Sequence, residues 1–371
     1  MIYAHVKKRS YFFVLLTIVV LAIFSMVSLS QALDEVEEYV TASDGVKVPW
    51  GIKDGYEASD ETGKNLDPIM YYGHKPDVAK ATPLEIEQAW WYQIRGQYAN
   101  NLYGAEGEKV KGFDVGALVT KTNKRGITRD RATRRWVSNW PKTKGIDYKD
   151  CVMFLSPEDL RGIATLIWYY TDFEKDYDQW LWVPVLRKVR KIGAMEGEDS
   201  FGGMDFDYDD MSLRNPMQDT YDLLRIDTVD DNFIEEQRTI MTAYNSQDTD
   251  KIAAYFKNEA YGHKMWVMES KPKSKKMSYN KRVIWFEQNV WRMVKCDWYD
   301  EGGRKVKDMY RAWALSNFYN TDRKHTFEHA IFAGNALTGH HTEMNVLKIV
   351  FNHPKNKPEI FTVRNLMRKR W

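Results

Sequence analysis

From Val115 onward the apolar and polar positions follow a strand rhythm. GALVTKT, ITRDRATRRWVSNW, CVMFLS, GIATLIWYY and WLWVPVLRKVRKI succeed one another with turn residues between them, and each predicts a strand. RATRRWVS and RKVRKI alternate strictly, polar on one side and apolar on the other. VMFLS, ATLIWYY and WLWVPVL are apolar on both sides. Such a strand lies either between two layers or between a core and an apolar cavity. Pro184, inside the last of them, predicts an edge, a bulge or a bend. Strands resume at HKMWVMES, KRVIWFEQ, VWRMVKCDWYD, GRKVKDMYRAWALS, HTFEHAIF and HHTEMNVLKIVFN, with Asp300-Glu301-Gly302-Gly303 as a hairpin turn. No fixed-period repeat interrupts the series.

Helical spacing breaks in at three places. IEEQRTIMTAY and TDKIAAYFKNEA space their apolar residues three and four apart, and Asp248, Thr249 or Asp250 can cap the second, which predicts a helical insertion at about 230–260. DFDYDDMSLR, Asp205 to Arg214, predicts a turn leading into a short helix. Before Val115 the sequence is irregular, punctuated by glycines and by Pro49, Pro68 and Pro76. One helix stands out there. Thr82 can cap it, Pro83 takes the first helical position, Glu85 has the capping-box spacing, and Gly96 can stop it. Residues 33–114 thus read as an N-terminal extension laid over a main domain at 115–371.

The first 32 residues read as an export signal. Lys7, Lys8 and Arg9 precede an uninterrupted apolar run from Tyr11 to Met26, and Ser30 and Ala32 suit a cleavage site after Ala32. The run is shorter than the roughly 20 residues of a spanning helix, so cleavage is expected over anchoring. Removing three basic residues takes the formal charge from +2 to −1 (2 − 3 = −1). That balance gives no reason to expect nucleic acid as a partner. The remaining chain, lacking any second run of spanning length, is expected to be soluble in the periplasm. In an oxidising compartment Cys151 and Cys296 either form a disulfide or serve as two separate small core residues. The 14 Trp, 22 Tyr and 16 Phe suit an aromatic-rich β core.

Candidate chemistry is sparse. Asp205, Asp207, Asp209 and Asp210 imitate the start of a calcium loop, but the sixth position is not glycine and the twelfth is Pro216. A surface turn with a helix cap is the expectation. His325 and His329 lie four apart, and His340 and His341 precede Glu343. On strands such pairs are too far separated for easy joint ligation, so these read as solvated residues and no metal is expected. Arg187, Lys188, Arg190 and Lys191 make a basic patch, with Arg131, Arg134 and Arg135 on another strand. The patch is either a solvated face or a docking surface for an acidic partner or anionic lipid headgroups. No nucleophile elbow, phosphate-binding glycine loop or Cys/His pair occurs, and the abundant Asp and Trp form no glycosidase constellation. Neither an enzyme nor a cofactor is expected.

Two stretches carry a family likeness. FLSPEDLRGIATLIWYY leads through DQWLWVPVLRKVRKIG to SFGGMDFDYDDM, and NKRVIWFEQNVWRMVKCDWYDEGGRKVK runs on to a closing FTVRNLMR. Over roughly Val115 to Arg368 the chain resembles the periplasmic outer-membrane lipoprotein-sorting protein family with the LolA-like fold, whose members are often paired with transporters of the resistance–nodulation–division (RND) type. The extension before Val115 and the helical insertion are longer than that family leads one to expect. The resemblance implies a mainly β, α+β fold, an incomplete antiparallel barrel wrapped around helices with an apolar cavity between. It implies a carrier of lipid, lipoprotein acyl chains or another hydrophobic cargo, working with an RND-type inner-membrane transporter. The alternative is an accessory subunit of an envelope transporter complex whose sheet is filled by side chains. An acyl chain costs about 0.8 kcal/mol per methylene exposed to water, so a carrier must bury it. Leu166, Trp168, Tyr170, Trp180, Trp182, Trp266, Met268, Trp285 and Phe332 are the candidate cavity wall, each open to the alternative of ordinary core. Arg161, in LSPEDLRG, is either a contact for a carbonyl-bearing cargo or a structural hydrogen-bond donor.

Overall fold

Thr82 opens the helix α1 (Pro83–Tyr92) with a reciprocal cap. Its backbone N–H donates to Glu85 Oε2 at 2.8 Å, and the Glu85 N–H donates back to Thr82 Oγ1 at 3.3 Å. The computed structural model describes residues 79–92, 116–138, 146–170, 175–195 and, with short interruptions, 200–366, together with short strands between 38 and 114. The export segment to Ala32 and Gly96 lie outside the described residues. Residues 39–371 form one unit, to which all that follows refers.

Fifteen strands form a single sheet. They are β1 (Asn101–Gly104), β2 (Ala117–Thr122), β3 (Thr128–Ser138), β4 (Ile146–Ser156) and β5 (Ala164–Tyr170). Next come β6 (Tyr177–Val183), β7 (Lys188–Met195), β8 (Asp219–Thr228), β9 (Lys264–Pro272) and β10 (Lys281–Glu287). The last are β11 (Arg292–Tyr299), β12 (Lys305–Phe318), β13 (Lys324–Asn335), β14 (His340–Val346) and β15 (Val350–Phe351). The order β7-β6-β5-β4-β3-β2-β14-β13-β12-β11-β10-β9-β8 is antiparallel throughout, and β7 and β8 are its edges. A detour joins β12 to β3 a second time. β15 pairs in parallel with the end of β12 and antiparallel with β1, which pairs with the end of β3. Seven strands thus make a ring inside an otherwise open sheet.

WLWVPVLRKVRKI is a hairpin rather than one strand. Pro184 offers no N–H to a ladder, so β6 ends at Val183 and the chain turns through Pro184–Leu186. Arg187, in the left-handed region at φ 49°, closes the turn by donating to the Pro184 carbonyl at 3.1 Å.

The inner face carries the largest apolar cluster, with contributions from β2–β5 and β9–β14. Inside it sit Ile86 and Trp90 of α1, and Met204, Phe206 and Tyr208 at the start of α2 (Tyr208–Ser212). α1 is therefore core: Ile86 is fully buried, and the Trp90 ring meets Phe286 edge-on at 5.2 Å. The outer face is covered twice. Over β9–β13 lie α3 (Asp231–Ala243) and α4 (Thr249–Asn258), which bury Phe233, Met241, Ile252 and Phe256 against Val267, Trp285 and Phe332. Asp230 caps α3 by accepting from the Phe233 N–H at 2.9 Å. Over β4–β6 lies the chain's last turn and the helix α5 (Val363–Leu366), whose Phe361 and Leu366 pack on Cys151, Leu166 and Trp182. Strands apolar on both faces are here strands between two layers.

Candidate ligand-binding site

A pocket of about 40 Å³ opens on the inner face. Its walls are Ala117 and Val119 of β2, Thr133 and Arg135 of β3, Val152 of β4, Phe327 of β13, and Met344 and Val346 of β14. Met204 and Phe206 close it from the segment before α2. The wall is apolar because these positions alternate inward along neighbouring strands. Arg135 is its one charged member. The guanidinium is held by the fully buried Asp150, with Nη2 donating to Oδ2 at 2.7 Å and Nε to Oδ1 at 3.2 Å. A fork held in this way is fixed in direction, and breaking it would strand a charge.

The segment that closes the pocket is tied down by ions. Lys121 reaches Asp205 at 3.4 Å and donates to the Gly203 carbonyl at 3.0 Å, and Thr342 Oγ1 donates to Asp205 at 2.7 Å. Lys307 donates to Asp207 at 2.9 Å and to Asp210, and Arg311 donates to the Asp210 carbonyl at 2.6 Å. Arg214 bridges Asp209 at 3.0 Å and Asp219 at 2.7 Å, and Asp219 also accepts from Arg282 at 2.7 Å. Burial and then the Asp207 charge push the Asp210 carboxyl up, against the pull of Lys307. Burial pulls the Lys307 ammonium down, but the two carboxylates outweigh it and hold it above its ordinary value. At 3.9 Å from Arg282, the α1 carboxyl of Glu87 is pushed by burial up to about 7, against the pull of that arginine. The acidic run is accordingly no surface turn. Asp205, Asp207 and Asp210 are the counter-ions of Lys121 and Lys307 on the surrounding strands, and Asp209 pairs with Arg214 just beyond α2.

Other residues singled out from sequence fall elsewhere. Leu166, Trp168, Trp180 and Trp182 lie on the outer face under the C-terminal segment. Tyr170 donates to Asp178 at 2.5 Å, with Lys175 over its ring. Trp266 and Met268 belong to the inner cluster, and Trp285 and Phe332 to the layer under α3 and α4. None of these nine lines the pocket. Arg161 is exposed on the β4–β5 connection and pairs with Glu158 at 3.2 Å. Arg187, Lys188, Arg190 and Lys191 are all exposed, Lys191 pairing with Asp178 at 2.7 Å. Arg131 is buried, so β3 turns basic residues inward as well as outward. His341 is fully buried rather than solvated, and burial pushes its pKa below the ordinary value. His329 is exposed, while the His325 side chain lies outside the described residues. Cys151 and Cys296 are free thiols in separate clusters, which excludes the disulfide. Among the described residues no group of three metal-ligating side chains comes together, and no helix is long and apolar enough to cross a membrane.

Sequence reasoning missed Arg135 as a pocket residue, and with it Phe206. One signal was available for the second: Met204 and Phe206 are apolar positions alternating with the acidic run.

No curated protein matches the sequence. A protein-family model described only as an uncharacterized protein matches residues 147–237 and 240–368, more than half of the chain. Among solved structures, a domain described as an outer membrane lipoprotein-sorting protein from Vibrio parahaemolyticus is similar at 20% identity and TM-score 0.56, over 79% of this chain and 100% of that one. A DUF1329 family protein from Desulfovibrio piger is similar at 17% identity and TM-score 0.56, over 76% of this chain and 97% of that one. A LolA superfamily protein from Nitrosomonas europaea aligns more loosely, at 15% identity and TM-score 0.46 over 77% and 99%. The chain belongs to the family whose model matches residues 147–237 and 240–368, and its fold is an incomplete, LolA-like antiparallel β-barrel similar to that of the Vibrio parahaemolyticus domain.

Proposed function

We propose that the protein is a periplasmic carrier that takes an apolar chain, from a lipid or an acylated protein, into the pocket between β2, β3, β4, β13 and β14. The observation that carries this reading is the pocket itself: an apolar inner wall with one arginine whose direction is fixed by Asp150. Apolar surface takes the chain, and the guanidinium meets a carbonyl or phosphate at its head. Likeness in fold to a lipoprotein-sorting domain supports the same reading. Non-enzymatic action, export through the N-terminal apolar segment and hand-over to an RND-type transporter belong to this proposal.

Size decides how the carrier must work. Small-molecule pockets run to roughly 300–1,000 Å³, and the present opening is about 40 Å³. Loading therefore requires Met204 and Phe206 to leave, and an acyl chain takes the place of the Phe206 ring. The segment bearing them lies outside the ladder of the main sheet, held by its ion pairs and by the apolar packing of Met204, Phe206 and Tyr208, so it can move without unpairing strands.

The same small opening favours a second reading, an accessory subunit whose interior stays filled by its own side chains. Phe206→Ala separates the two. Titration with a fluorescent fatty-acid analogue should show tighter binding for the variant than for the wild type if the ring occupies the cargo site. A permanently filled core predicts only a stability loss of about 3–5 kcal/mol, with no gain in probe binding.

A further inference from the structure

Antiparallel pairing fixes which connections share an end of the sheet. Thr122 opposite Thr128 closes the connection 123–127, and His341 opposite Thr122 sets the connection 336–339 beside it. A Cβ on Gly339 would stand 3.1 Å from the Lys124 side chain. Ala132 opposite Ser156 puts the connection 157–163 at the same end. Ala164 opposite Trp182 then brings the turn 184–187 against it, where a Cβ on Gly162 would stand 3.2 Å from Pro184. Lys307 opposite Asn335 and Asp219 opposite Pro272 add the connections 300–304, 273–280 and 216–218. All these turns make one rim.

Exposed apolar side chains gather on that rim. Val185 is 90% exposed, Ile127 61%, Leu337 55%, Leu186 46% and Met217 42%. Among the described residues the other large exposed apolar side chains lie along the edge strands β7 and β8, except Tyr261 at the opposite end. Beside the apolar tips stand Lys124, Arg125, Arg187, Lys188, Lys273 and Lys275, all exposed. The rim's acidic residues, Glu158, Asp159, Asp300 and Glu301, sit on the two connections that carry no exposed large apolar side chain.

We infer that this rim docks on an anionic lipid surface, with Ile127, Val185, Leu186 and Leu337 entering the headgroup–acyl boundary and the lysines and arginines meeting phosphate. Separate convex tips fit a deformable interface, which needs no matching concavity, whereas a protein partner would have to supply a hollow for each. Basic side chains beside apolar ones are the combination that anionic headgroups favour. The inference stands apart from the cargo reading, because membrane attachment is measured without cargo.

The test is co-sedimentation of the protein, purified with the N-terminus it carries in the envelope. Vesicles of phosphatidylglycerol and phosphatidylethanolamine are compared with vesicles of phosphatidylcholine alone. Wild type should bind the anionic vesicles, lose binding with added salt, and bind phosphatidylcholine at least roughly tenfold more weakly. Ile127→Ser, Val185→Ser, Leu186→Ser and Leu337→Ser combined should weaken anionic binding on the order of tenfold or more. So should Lys124→Gln, Arg125→Gln, Arg187→Gln and Lys188→Gln combined. Leu223→Ser with Ile226→Ser on β8 should bind as wild type does, and an unchanged unfolding midpoint in every variant keeps the comparison valid at these exposed positions. Equal binding to both vesicle types, no binding by wild type, or rim variants that bind like wild type would overturn the inference. So would cross-linking of the rim to an envelope protein without vesicle affinity, which would assign it to a protein partner.

Discussion

The two halves of the outer face are covered in different ways. Over β9–β13 the cover is α3 and α4, a continuous insertion that buries a dozen and more apolar side chains in one layer. Over β4–β6 it is the short segment Pro358–Leu366, arriving from the far end of the chain, and Trp168 and Trp180 at its margin are only partly buried. Lys149 and Lys191 lie over those two rings at 4.9 and 5.6 Å. A helical pair joined to adjacent strands locks its half of the sheet. The segment Pro358–Leu366 belongs to no strand and can lift without disturbing any strand pairing.

The comparison can be broken most sharply at Phe256, which is fully buried in α4 and meets Phe233 edge-on at 5.0 Å. Phe256→Ala should cost about 3–5 kcal/mol of global stability in denaturant unfolding. A loss below about 1 kcal/mol would mean that the helical pair is as loosely held as the tail.

A titration tests the inner face of the same half of the sheet, where Glu87 joins the buried α1 to Arg282 of β10. Its folded pKa, about 7, lies above the ordinary 4.5. The neutral form is thus favoured by the fold, and the stabilisation is complete below the ordinary value and lost as pH rises through about 7. Between those limits the wild type should lose on the order of 3 kcal/mol, and Glu87→Gln should flatten the slope. Equal slopes for the two proteins would show that Glu87 is ionised in the fold.

The smallest expected effect is on the tail. Leu366→Ala should cost about 2 kcal/mol, seen chiefly as faster amide exchange in β5 and β6 with β9–β11 unchanged. Uniform loss of protection across the sheet would show that the tail, too, is part of the global lock.

Local chemistry made much of this visible in the sequence. The Thr82–Glu85 box, the spacing in 231–243 and 249–258, and the turn at Asp300–Gly303 act within a few residues, and the structure has a cap, two helices and a hairpin there. What stayed hidden depends on distant partners. Asp207 is a half-buried counter-ion only because Lys307, 100 residues away, points at it. Arg135 looked like a solvated basic residue because Asp150, its partner, sits on the next strand with nothing in the local pattern to announce the pair. Pro184 predicts an edge, a bulge or a bend, but a bend in one strand and a turn between two look alike until the register of β6 with β7 is known. Gly334 is a further case. A Cβ there would stand 2.6 Å from the Tyr244 ring, and only the packing of α3's end on β13 explains a glycine inside that strand. The pocket escaped for the same reason. Its wall is built one or two residues at a time from five strands, while the aromatic runs around Trp180 and Trp285 pack under the outer layers and Trp266 joins the inner cluster without lining it.

The measurement that bears most directly on the carrier reading is native mass spectrometry, with lipid extraction, of the protein purified from the envelope without detergent. The account predicts a fraction of molecules carrying one lipid or acylated peptide, and a larger fraction for Phe206→Ala. A bare mass for both proteins, persisting after incubation with envelope lipids, would contradict it and leave a filled sheet serving as an accessory subunit.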